Sequence, residues 1–100
     1  MKKISKDNAQ IAEFMFTGNI ELYVPDYHVK WDWLMPVVER IEKMGPTGYE
    51  VSIIDCECEI GTMGYQYTTV ARGIGLSKIE AVYSAVISFI KWHNLNNKKK

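Results

Sequence analysis

Residues 27–44 read Y-H-V-K-W-D-W-L-M-P-V-V-E-R-I-E-K-M, and the period of this stretch sets the architecture of the chain. Leu34, Val37, Val38, Ile41 and Met44 fall at i, i+3, i+4, i+7 and i+10, which is one face of a helix with about 3.6 residues per turn. Glu39, Arg40, Glu42 and Lys43 take the other face, and Glu39 precedes Lys43 by four residues in the favourable order. Asp32 is the expected N-cap, because its carboxylate can accept from the free amides of the first turn. Pro36 then falls at the end of that turn, where a missing N–H costs one helix bond at most. Gly45-Pro46 supplies the stop.

Upstream, residues 5–16 form a first helix with Ile11, Phe14 and Met15 on its apolar side. Asp7 and Gln10 resemble a capping box, and Gly18 marks the end. Ile20 to Val24 alternates apolar and polar residues up to Pro25, the pattern of a short edge strand. Downstream of the turn Gly45-Pro46-Thr47-Gly48, the run from Tyr49 to Ile60 reads as one strand. Tyr49, Val51 and Ile53 share one parity and Cys56, Cys58 and Ile60 the other, so a bulge near Ile54-Asp55 is expected. Gly61 to Gly64 has the residues of a hairpin turn, and Tyr65 to Arg72 returns antiparallel. Ser77-Lys78-Ile79-Glu80 is a complete S-x-x-E capping box for a last helix. Ile79, Val82, Tyr83, Val86, Phe89, Ile90 and His93 make its stripe, before a polar, basic end from Leu95 that is expected to fray.

The expected class is α+β. One domain spans residues 1–100, with an ordered core over about residues 5–95, in the order α-β-α-β-β-α. A small antiparallel sheet, made of a hairpin and the edge strand, is packed by three helices. A chain of 100 residues buries roughly two-thirds of its unfolded surface without metals or disulfides. Its 47% hydrophobic content excludes a disordered chain, and no apolar run approaches the about eighteen residues of a membrane span. Met1-Lys2-Lys3 leads into a polar, helical stretch and not a secretory leader, and the two cysteines suit a reducing compartment, so the expected location is cytoplasmic.

The formal net charge is zero, but five lysines (Lys2, Lys3, Lys98, Lys99, Lys100) lie at the termini. The body between them has seven basic against twelve acidic residues, a charge of −5. Nucleic-acid binders carry a basic face, so nucleic acid is not an expected partner.

The segments I-A-E-F-M, Y-H-x-x-W-D-W-L-M-P-V-V-E-x-I-E and S-K-I-E-A-V-Y-x-A-V-x-x-F-I-K-W resemble small proteins of phages and prophages, especially from Bacteroides-type bacteria. More loosely the chain is similar to the phage ABA sandwich domain, a family of undefined function. The resemblance covers nearly the whole chain. It implies a phage or prophage origin in a bacterial host cell and helices on both faces of the sheet, an α/β/α sandwich. It implies no active-site residue.

Four groups of residues invite a chemical reading. Cys56 and Cys58, two apart on a strand, are about 6.6 Å apart with parallel side chains, a poor disulfide geometry. A structural zinc would need His28 and His93 as well, with none of the usual spacing, so buried hydrophobes are the plainer reading and no metal is expected. Asp55, Glu57 and Glu59 should line one sheet face together, as a cation site, a docking surface for a basic partner or, more plainly, a solvated face. Gly73 and Gly75 before Ser77 and Lys78 could cradle an anion on free amides, although the third glycine of a dinucleotide loop and the P-loop spacing are both missing. A flexible connector is the plainer reading there.

Tyr27, His28, Trp31, Asp32 and Trp33 form the strongest candidate site. Tryptophans one residue apart at a helix start cannot both face the same core, and an exposed one has the character of an interface anchor. Core packing is the plainer reading for most of this cluster. No motif places a nucleophile beside His28. The expected function is a non-enzymatic, phage- or prophage-encoded accessory protein that binds a protein partner or itself and uses no cofactor. The alternative is a small-ligand protein that sequesters an anionic metabolite or nucleotide at Gly73, Gly75, Ser77 and Lys78.

Overall fold

The computed structural model describes residues 2–15, 26–44, 48–62 and 68–98. These form α1 (Lys2–Met15), α2 (Trp31–Glu42), β1 (Tyr49–Ile54), β2 (Glu57–Thr62), β3 (Thr68–Ile74) and α3 (Lys78–Lys98). The class is α+β, as expected, with the order α-α-β-β-β-α among the described residues. The expected edge strand Ile20–Val24, the stop at Gly18, Gly45-Pro46 and the second half of the expected turn, Met63-Gly64, lie outside them, while its first half, Gly61-Thr62, belongs to β2 and is not a turn.

The apolar stripe of α2 packs as its period requires. Leu34, Val37, Val38 and Ile41 are all buried, and Met44 packs against the same core. The helix starts earlier than Asp32 as N-cap would have it. Lys30 is the N-cap, in extended backbone (φ −128°, ψ 113°) and without a side-chain cap, and its carbonyl accepts from the amides of Trp33 and Leu34 at 3.1 Å each. Asp32 therefore lies inside the first turn, where its charge faces the positive end of the helix dipole. Pro36 moves correspondingly deeper, into the second turn. Gly48, at φ +78°, folds the chain back over the helix end, and a side chain there would press on the Glu42 carbonyl.

The strand expected from Tyr49 to Ile60 is a hairpin. β1 and β2 pair antiparallel with Ile54 opposite Glu57, leaving Asp55-Cys56 as a two-residue turn. Asp55 takes the left-handed conformation, φ +52°. The change of parity at Ile54-Asp55 is thus the chain reversing and not a bulge. Val51 faces Ile60 and Ile53 faces Cys58, so both parities end on the same, inner face. β3 continues on the other side of β2, giving the order β1-β2-β3, and the register shifts between Ile60 and Gly61.

All three helices lie on the inner face, with α3 across β2 and β3, α2 against β1, and α1 against both helices. Among the described residues no helix covers the outer face, so they make two layers and not the sandwich that the resemblance implied. α3 buries Val82, Val86, Phe89 and Ile90, and also Ala81 and Ala85. These alanines sit over Gly73, where a side chain would collide with the backbone of both. Gly73 is a close-packing position between helix and strand. Phe89 gathers the aromatic core, with ring centroids at 6.3 Å from Phe14, 5.0 Å from Tyr49 and 6.0 Å, stacked, from His93. α1 begins at Lys2, with no breaker before Asp7, so Asp7 is a buried residue inside the helix and forms no capping box with Gln10. α3 stays helical through Lys98, beyond the fraying expected from Leu95.

Candidate functional site

The chain from Asp26 to Met35 turns tightly and enters α2. The Val29 amide donates to the Asp26 carbonyl at 3.2 Å, which aims Tyr27 inward and Val29 outward. Tyr27 is buried and its ring meets Trp33 edge-on at 6.5 Å. His28 is half-buried and belongs to a polar network. Tyr83 Oη donates to Asn8 Oδ1 at 3.0 Å, and Asn8 Nδ2 lies 3.1 Å from His28 Nδ1. With Oδ1 accepting, Nδ2 must donate, so His28 Nδ1 is the acceptor and the proton of the neutral ring sits on Nε2. Burial, and then the charge of Asp7, push the Tyr83 phenol up from its ordinary value.

The two tryptophans take neither of the extremes. Trp31 is 39% exposed and Trp33 37% exposed. Helical geometry places them on opposite shoulders of the buried stripe, Trp33 leaning on Tyr27 and Trp31 sharing its shoulder with Met35, one turn on. Val29, Trp31, Trp33 and Met35 are all exposed, four large apolar side chains within seven residues. Asp32, also exposed, lies between the tryptophans. The five residues expected to act together therefore separate. Tyr27 is core, His28 is a strut to α1 and α3, and Trp31, Asp32 and Trp33 meet solvent.

The α3 start is tightly bonded. The Leu76 amide donates to Glu80 Oε1 at 2.7 Å, the Glu80 amide to Ser77 Oγ at 3.4 Å, and the Gly75 amide to the Cys56 carbonyl at 3.1 Å. Lys78 Nζ donates to the Asp55 carbonyl at 3.0 Å, tying the helix start to the hairpin turn. A side chain at Gly75 would press on Glu80. Gly73, Gly75, Ser77 and Lys78 are thus brought together as a joint between β3, the turn and α3.

Cys58 is buried in the core, and burial, with the nearby Glu59 charge, pushes its thiol up to about 11. Cys56 is half-buried in the turn and not on a strand, and both thiols are free. Glu57 and Glu59 do share the outer sheet face, while Asp55 leaves it at the turn. Arg72 of β3 bridges both glutamates, at 3.3 Å and 3.6 Å. Among the described residues there is no group of three His, Cys, Asp or Glu able to hold a metal ion, and no helix long and apolar enough to cross a membrane.

The Asn8–His28–Tyr83 network escapes a reading by sequence, since it joins residues 20 and 75 positions apart. One signal was present. Asn8 falls on the helical stripe of Ile11, Ala12 and Met15, where a polar residue must find a partner. No family model matches the chain, and no curated protein or solved structure does either.

Proposed function

We propose that this chain is a non-enzymatic protein-interaction module, a small accessory protein of the kind phages and prophages encode, acting in the cytoplasm of a bacterial host. The observation that carries the reading is the Val29–Met35 cluster. Trp31, Trp33 and Met35 each keep over a third of their surface open, and Val29 over half, although the same helix buries its whole core stripe. Tryptophan is the residue most enriched among interface hot spots, and a rigid helix holds it ready at little entropic cost. Trp31 and Met35 would seat in an apolar pocket of a partner protein, with Lys30 and Asp32 at its polar rim. The phage assignment rests on the sequence resemblance alone.

Light scattering of the purified chain, with and without Trp31→Ala/Met35→Ala, separates the two kinds of partner. A monomer at all concentrations supports a heterologous partner. A dimer that the double variant dissolves would make the partner a second copy of this chain.

A further inference from the structure

A second surface lies on the opposite side of the molecule. The outer face of the sheet carries the row Ile54–Glu57–Ile74 across the three strands and, next to it, Ser52–Glu59–Arg72. Ile54 is 71% exposed and Ile74 61% exposed, so apolar side chains flank an acid on an open face. Sheets of soluble domains normally place polar residues there.

The charges on this face are unevenly satisfied. Arg72 reaches Glu57 through Oε1 and Glu59 through Oε2, approaching both from the β3 side. On the β1 side the same two glutamates border a shallow cleft of about 90 Å³, closed by Ser52 and Ile54. One guanidinium between two carboxylates leaves a charge of −1, and exposed Glu50 lies farther along β1. Lys78, the nearest lysine of α3, is engaged on the Asp55 carbonyl.

We infer that this cleft is a docking site for a protein segment that carries basic side chains between apolar ones. A lysine or arginine of the partner lays its aliphatic stem on Ile54 and brings its charge between Glu57 and Glu59, the place opposite Arg72. Apolar neighbours in the segment cover Ile54 and Ile74. A second copy of this chain fits poorly, because its acidic face would meet another acidic face. The inference stands apart from the α2 cluster and does not depend on it.

The test is a titration of the full ¹⁵N-labelled chain with the peptide acetyl-Lys-Val-Lys-Val-Lys-amide, with acetyl-Glu-Val-Glu-Val-Glu-amide as control. The lysine peptide should give saturable shifts at Ser52, Ile54, Glu57 and Glu59, weakened by added salt, and the glutamate peptide none. Glu57→Gln/Glu59→Gln should weaken binding by about tenfold with little change in Tm, since Glu57 is exposed, Glu59 half-buried, and their ion pairs with Arg72 are open to solvent. Trp31→Ala should leave the shifts unchanged. Absent or scattered shifts, an unaffected double variant, or concentration-dependent shifts of these amides without peptide would each overturn the inference.

Discussion

Gly73 of β3 lies beneath Ala85 of α3, so close that a single added methyl would strike the helix backbone. The longest helix and the sheet meet at this point, and the distance between the layers is set there.

Gly73→Ala should therefore be costly although it adds one carbon. The contact is with backbone, which cannot swing away, so overpacking of about 1–3 kcal/mol or more is expected. In a domain of this size that lowers Tm by at least about 4 °C. Ile74→Ser, on the open face, should shift Tm far less. Thermal melts of the two variants decide the matter, and equal effects would remove Gly73 from this role.

Asn8→Ala should cost about 1–3 kcal/mol, because it strands Tyr83 Oη and His28 Nδ1 inside a partly buried network. Nitrogen-15 spectra of the imidazole should report the Nε2–H tautomer in the native chain. An Nδ1–H tautomer in the native protein would contradict the assigned network.

Much of this is legible in the sequence. The α2 stripe is, because Leu34, Val37, Val38 and Ile41 repeat at a period only a helix satisfies. The hairpin was misread for a definite reason, since a bulge and a two-residue turn produce the same change of parity at Ile54-Asp55. The turn also lacks the glycine that usually announces one. Gly73 read as flexibility because the helix that crosses it is visible only in space. The tryptophans were legible as a pair that could not share one core, but not as the two shoulders of one helix. The ion pairs of Arg72 required the register of β3 on β2.

Stability should fall in alkali with a sign set by Cys58. Its folded-state thiol is pushed up to about 11 from an ordinary 9.0, so the unfolded chain loses its proton first. The stabilisation is whole below pH 9 and is lost as pH rises towards 11, on the order of 2 kcal/mol. Tyr83, shifted in the same direction, extends the loss to higher pH. Urea midpoints between pH 8 and 11 check this, and Cys58→Ala, itself less stable, should show a shallower decline above pH 9. In the native chain at pH 8, a thiol reagent should modify Cys56 long before Cys58.

Asp32→Ala should cost under about 0.5 kcal/mol. The carboxylate meets the helix dipole from an exposed first-turn position and caps no amide, whereas a true N-cap loss runs to about 1 kcal/mol. A drop in Tm of several degrees would restore Asp32 as the cap.

The central claim is that the Trp31 shoulder of α2 is a protein-docking surface. Its most direct measurement is site-specific photo-crosslinking in cells, with a benzophenone side chain at position 31 and a control at Lys91. Lys91 is exposed on α3, a different helix from the tryptophans. One discrete crosslinked partner is expected from position 31 and none from Lys91. With that partner purified, Trp31→Ala should weaken Kd by about thirtyfold, the scale of an interface hot spot, while Tm stays within about 3 °C of the parent. Equal crosslinking from both positions, or a Trp31→Ala chain that unfolds, would contradict it and return Trp31 to the core.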